Sequence, residues 1–227
     1  MKEKYKILDD IPTSFWKDLK RQVKTSKGKV VFLVHPFFLE NKSGHSKEIY
    51  ESYKKVVTNT ILKSKRPVVI LESNPGEIRA TLGNEVFQKA NLFCLPSMDA
   101  KGALVQTHGP NGDQKEAHPN KLISLFEKAR ITQIAFGGSI AYKAEDYATR
   151  QFERKIYPPR LIPGQSSIAH GCAGSVYTKL ATSGKFKIIR IMPNAITTQK
   201  PSFHKRMVSK GKTNEWIKKM KKLVRRH

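Results

Sequence analysis

The chain has 227 residues, 38% of them hydrophobic and 27% charged, with 43 Lys or Arg against 18 Asp or Glu for a formal net charge of +25. That length suits one domain with a tail, and the gathering of apolar residues into short runs excludes disorder throughout. No run reaches the roughly 18 apolar residues of a membrane span, and Met1 to Lys6 is too polar for a signal peptide, so the expected place is the cytoplasm.

Residues 1–28 read as a charged leader with a short helix, in which Phe15, Leu19 and Val23 recur at helical spacing behind Thr13 or Ser14 as a cap. Strand and helix signals then alternate. Strands are expected at 30–34, 68–71, 92–95, 131–136 and 188–192, and helices at 46–64, 75–90, 119–129 and 172–182. Each strand is a nearly continuous apolar run, the pattern of a parallel sheet buried on both faces. Each of the first three helices carries one apolar stripe: Ile49, Tyr53, Val56 and Ile61, then Ile78, Leu82, Val86 and Ala90, then Leu122, Leu125, Phe126 and Ala129. The fold expected is an α/β three-layer sandwich with a mostly parallel, Rossmann-like sheet.

Local punctuation agrees. Asn74-Pro75-Gly76-Glu77 offers a cap, a proline at the first helical position and a glutamate placed to return a hydrogen bond. Gly184 is placed to end the helix before Phe186. Two polar segments, 97–117 and 143–171, interrupt the rhythm, and loops of such length are commonly functional or disordered. Three units result: a helical leader 1–28, an α/β domain 29–199, and a basic C-terminal helix or tail 200–227. That last segment holds eleven Lys or Arg against Glu215 alone.

In open α/β sheets the ligand site lies beyond the carboxyl ends of the strands. Those ends present His35, Glu72 with Asn74, Asp99 with Lys101, Gly137-Gly138-Ser139 and Asn194. His35 can serve as a base, Glu72 and Asn74 as ligand-binding or capping groups, and Gly137, Gly138 and Ser139 as a turn whose backbone approaches an anion. Asp99 and Lys101 read as solvated loop charges. No P-loop or G-x-G-x-x-G fingerprint follows any strand, so no cofactor is expected. Cys94 and Cys172 stand too far apart for a close-spaced zinc pair, and the histidines, His108 and His118 among them, show no metal-binding spacing.

In His170-Gly171-Cys172-Ala173-Gly174-Ser175 a thiol falls on the first turn of a helix, where the dipole favours thiolate, and His170 is near enough in sequence to assist. Cys172 is thus a candidate nucleophile, or else a small packing residue like Cys94. The strand 131–137, Cys172 with Thr178 and Gly184, and the run Phe186-Lys187-Ile188-Ile189 resemble the isochorismatase-like cysteine hydrolases. The resemblance covers about sixty-five residues and implies an α/β sandwich that hydrolyses small amides or enol ethers with an Asp-Lys-Cys triad. Only Cys172 carries over: His35 stands where that family has its aspartate, and no lysine matches after the third strand.

The basic surplus points elsewhere. Lys and Arg over the domain, and Lys205, Arg206, Lys210, Lys218, Lys222 and Arg225 in the tail, would displace counterions from phosphates. Trp216, Phe203 and Tyr157 among basic neighbours can stack on unpaired bases. An amphipathic helix over 214–224, packing on the domain or lying on an anionic membrane surface, is the alternative for the tail, but a tether would need only the tail whereas the basic excess extends beyond it. The first function expected is binding of RNA or another polyanion without sequence readout. The second is a hydrolase or transferase acting on a small anionic substrate, with Cys172, His35 and His170 as its catalytic residues.

Overall fold

Five of the apolar runs become the strands of one wholly parallel sheet: β1 Lys29–Val34, β2 Val68–Glu72, β3 Leu92–Pro96, β8 Gln133–Tyr142 and β9 Ile188–Thr198, in the order β3-β2-β1-β8-β9. The computed structural model describes residues 5–37, 47–72, 75–100, 102–104, 107–108, 114–115, 119–142 and 171–198. Four two-residue strands, β4 Met98–Asp99 with β5 Gly102–Ala103 and β6 Thr107–His108 with β7 Gln114–Lys115, form two antiparallel ribbons within the polar 97–117 segment.

Helices cover both faces. They are α1 Thr13–Thr25, α2 Lys47–Lys63, α3 Pro75–Leu82, α4 Asn84–Phe87, α5 Asn120–Lys128 and α6 Gly171–Thr182. The alternation of strand side chains sorts the core into two halves. Val30, Phe32 and Val34 of β1 pack with α1, α5 and α6 through Leu19, Phe126 and Val176. Val31 and Leu33 pack with α2, α3 and α4 through Val57, Ile61, Ile78 and Phe87. The three-layer α/β sandwich is therefore the observed architecture.

Phe32 sits at its centre, edge-on to Phe126 at 5.1 Å and to Phe136 at 5.9 Å. Truncation of such a ring to alanine costs about 3–5 kcal/mol. The leader belongs to the same core: Leu8, Ile11, Leu19 and Val23 are buried, and Phe15 meets Phe93 edge-on at 5.3 Å.

Several local expectations change. Helix α1 begins without a side-chain cap from Thr13 or Ser14, because Pro12 holds the cap position and its carbonyl receives the Phe15 amide. In α2 it is Val57 with Ile61 that is buried, while Val56 is half-buried. The helix expected over 75–90 breaks at Gly83, whose φ of +80° no continuing helix tolerates. Helix α3 starts at Pro75 as expected, but Asn74 and the Glu77 side chain lie outside the described residues. Gly184 does end α6 with φ +66°.

The largest correction concerns 137–139. Gly137, Gly138 and Ser139 are not a turn leaving the sheet; β8 runs through them to Tyr142. Gly138 pairs with Val34 at φ +144°, and a Cβ there would overlap the Val34 carbonyl oxygen and amide nitrogen. A glycine that reads as a turn is here the residue that lets two strands meet. Strand β9 likewise continues past 192, and its pairing slips between the partners of Phe136 and Gly138, the stretch holding Pro193, which has no amide hydrogen to give a ladder.

Candidate functional site

From β1 the chain moves by way of α2 to β2 on one side, whereas β8 lies on the other side of β1 and is followed by α6 on the opposite face. The β1–β8 junction is thus the switch point of a doubly wound sheet, the place at the carboxyl edge where such sheets take their ligands. Two residues of positive φ meet there. His35 ends β1 with φ +43°, a conformation that histidine accepts more readily than most side chains, and Gly138 lies beside Val34 just before it.

Among the described residues the buried polar or charged side chains are His35, Glu72, Ser97 and Asp99. All four stand at this one edge, following or ending β1, β2 and β3. The ladder positions them: Val34 pairs with Leu71, the His35 amide donates to the Leu71 carbonyl at 2.8 Å, and one step further His35 stands opposite Glu72. The Ser97 amide donates to the Glu72 carbonyl at 3.2 Å, and the Leu104 amide to the Ser97 carbonyl at 2.9 Å. Burial pushes the His35 imidazole down to about 4, so it is neutral at pH 7 and carries one N–H and one lone pair. Such a ring can accept a proton or orient a donor, and Glu72 brings a buried carboxyl group to the neighbouring strand end.

Helix α6 starts at the same edge, because it ends five residues before β9 is entered and so runs back from the carboxyl side. Cys172, its second residue, is half-buried and packs on the core half that α1, α5 and α6 share. By ladder parity Glu72 belongs with the opposite half, while His35 follows β1 with a left-handed φ that takes it out of the alternation. The thiol and the imidazole thus share an edge. Cys94 is buried in β3, as a packing residue should be. Among the described residues no group of three His, Cys, Asp or Glu is arranged to hold a metal ion.

The sequence points to His35 and Glu72 through their place after apolar runs. It gives no notice of Ser97, and Asp99, which reads as a solvated charge, is instead buried. The available signal is the same for both, a polar residue one to four positions beyond a strand. The Ser139 and Asn194 side chains, together with Asn74, Lys101, His118, His170 and Tyr157, lie outside the described residues, and so does everything beyond 198, including Phe203, Lys205, Arg206, Lys210, Lys218, Lys222, Arg225, Trp216 and the helix expected over 214–224.

The opposite, amino edge has another chemistry. Every strand of the main sheet is entered through a turn that carries a cation: Lys89 before β3, Lys65 and Arg66 before β2, Lys27 before β1, Arg130 before β8, and Lys185 and Lys187 before β9. Lys89 caps the end of α2 through the Ile61 and Leu62 carbonyls, and Lys185 pairs with Glu127 at 3.2 Å. Lys27, Lys65, Arg66, Arg130 and Lys187 are exposed. Besides Glu127, the acid in these entry segments, among the described residues, is Glu85 of α4. Lys24, Lys63 and Lys128 stand in last helical turns, where the helix dipole favours a cation by about 0.3–1 kcal/mol. That effect accounts for those three and not for the turn residues.

The turns are tied to one another. Gly28 accepts from the Thr132 and Gln133 amides at 2.9 and 3.0 Å, and Thr132 from the Lys187 amide at 2.8 Å. Pro67 accepts from the Val31 amide at 2.9 Å, and Asn91 holds the Ser64 and Arg66 carbonyls with its side-chain amide. Comparison of the chain with protein families, with curated proteins and with solved structures finds no match.

Proposed function

We propose that the protein binds RNA or a related polyanion at its phosphates, without sequence readout, using the amino edge of its sheet together with the basic C-terminal segment. The observation that carries this reading is the cation at the entry of all five strands of the main sheet, in turns tied together by backbone hydrogen bonds. Charges held in a fixed row can neutralise several phosphates at once and release their counterions. The cytoplasm, where RNA is the abundant polyanion, is the compartment this reading expects.

Affinity of the full chain for RNA, measured by anisotropy at 50 and 200 mM salt, tests it. A protein that neutralises about six phosphates binds roughly a thousandfold more weakly at the higher salt. Affinity indifferent to salt would end the reading.

A second reading is favoured by the four buried polar side chains and by Cys172 at the same edge. It makes that edge a small-molecule site, with His35 as proton acceptor and Cys172 as nucleophile in the manner of the cysteine hydrolases that 131–196 resembles. The buried His35, Glu72, Ser97 and Asp99 would hold a small polar substrate there by hydrogen bonds. Alkylation of Cys172 followed across pH checks the nucleophile: a rate that titrates below the ordinary thiol value of about 8.5 supports it, and an inert thiol removes it.

A further inference from the structure

We infer that the amino edge takes duplex nucleic acid in preference to a single strand, an inference that rests on the polyanion reading and names its partner. Three observations lead there. The first is geometric. Adjacent strands lie about 4.8 Å apart, so the row of exposed cations from the entry of β2 to the entry of β9 extends roughly 14 Å along the edge. Along that length a duplex presents roughly eight phosphate charges at fixed positions, one per about 1.7 Å of axis. The backbone that carries the row is fixed by the hydrogen bonds among its turns. Both partners therefore keep their backbones as they are and order only exposed side chains, whereas a flexible strand also gives up its own conformational freedom when it is held straight against the edge.

The second observation is chemical. Sequence-tolerant binding of single strands draws about 1–3 kcal/mol per base from stacking on aromatic rings. Among the described residues the large apolar side chains exposed to solvent are Leu62 and Met98, neither of them aromatic. Phe15 and Trp16 are half-buried, Phe15 against Trp16 and Phe93. Phe186, between Lys185 and Lys187 at the entry of β9, is half-buried and edge-on to Phe126 at 6.3 Å, so among the described residues the edge is richer in charge than in rings on which bases could stack.

The third observation concerns shape. The strand entries are tight: three residues, Ser26, Lys27 and Gly28, separate α1 from β1, and four separate α2 from β2. Among the described residues no long hairpin projects from these entries to enter a groove. The edge therefore meets the phosphate backbone, which a duplex displays outward on its surface.

The test uses the full chain and a variant with Lys27→Asn, Lys65→Gln, Arg66→Gln, Arg130→Asn and Lys187→Gln. Asparagine is chosen at Lys27 and Arg130 because both have left-handed φ, 55° and 62°, which asparagine tolerates. Binding of a 20-base-pair RNA duplex, the same duplex in DNA, and one unpaired RNA strand is measured at equal phosphate concentration over a salt series. The duplexes are expected to bind about tenfold tighter than the strand. The variant should lower the log–log salt slope for duplex by about 0.9 for each phosphate it no longer neutralises, while strand binding changes less. Equal or tighter binding of the strand overturns the duplex inference and leaves the polyanion reading standing. Duplex binding with an unaltered slope in the variant overturns the assignment to this edge. Absence of salt-sensitive binding to any of the three overturns the polyanion reading itself. A melting curve of the variant that matches the parent excludes unfolding as the cause of weaker binding.

Discussion

The two edges of one sheet have been given opposite work by the same backbone. At the carboxyl edge the polar groups are few and buried: Glu72, Ser97 and Asp99 at the ends of β2 and β3, and His35, itself of positive φ, after Val34, which pairs with Gly138. Acids gather there as well, for Asp9 receives the Ala100 amide at 2.9 Å and pairs with Lys121 at the start of α5. At the amino edge the charged groups are many, exposed and positive, and they stand on turns whose geometry is set by main-chain hydrogen bonds. The difference teaches where each edge is fragile. A change at the first disturbs the fold most, and a change of a charged side chain at the second disturbs chiefly the field around it.

The sharpest contrast comes from one methyl group. Gly138→Ala places a Cβ against the backbone of Val34, which cannot give way, and a loss of about 3 kcal/mol or more in urea unfolding is expected. Gly28→Ala at the amino edge meets chiefly the Thr132 hydroxyl, a side chain that can rotate, although φ +78° still carries strain. About 1–2 kcal/mol is expected there. Equal losses at the two sites would break the comparison.

Acid should separate the edges next. His35 titrates at about 4 in the fold and at its ordinary 6.5 in the unfolded chain, because burial disfavours the imidazolium. Between those values the unfolded state binds the extra proton, so stability falls as pH drops from 6.5 to 4 and is unaffected by this group above 6.5. The loss amounts to about 3 kcal/mol at roughly 1.36 kcal/mol per unit. His35→Asn, which accepts the left-handed backbone, should flatten that part of the stability profile. An unchanged profile would show that the ring is not held neutral in the native state.

Smallest of all should be the effect on stability of removing amino-edge charge. Lys65→Gln with Arg66→Gln is expected to shift unfolding by no more than about 0.5 kcal/mol, since both side chains are exposed. The same pair should weaken polyanion binding several-fold at low salt. A large loss of stability would mean that these cations hold the fold together and are not a working surface.

Much of the fold is legible in the sequence because its strands are written in unbroken apolar runs. The runs 30–34, 68–71 and 92–95 are β1, β2 and β3 within a residue or so, since a strand covered on both faces leaves no position for water. Gly137-Gly138-Ser139 misleads because the same absence of a side chain permits a turn and permits close strand approach, and only the position of Val34 distinguishes them. Asp99 misleads because a charge in a polar stretch reads as solvated until the chain folds over it. The cations ahead of each strand are visible one by one, but nothing in their spacing says that they form a row.

What the sequence determined by itself was the class of the fold, the sign of the charge and the residues that end the first three strands, because hydrophobic run length and composition act locally. What only the tertiary structure decided was adjacency. The strand order β3-β2-β1-β8-β9 puts His35 next to Glu72 and Gly138 next to Val34, and it brings turns far apart in the chain into one cationic line. Parallel pairing is the physical reason: it sends every carboxyl end to one side of the molecule and every entry to the other, so residues at equivalent ends become neighbours whatever their separation in sequence.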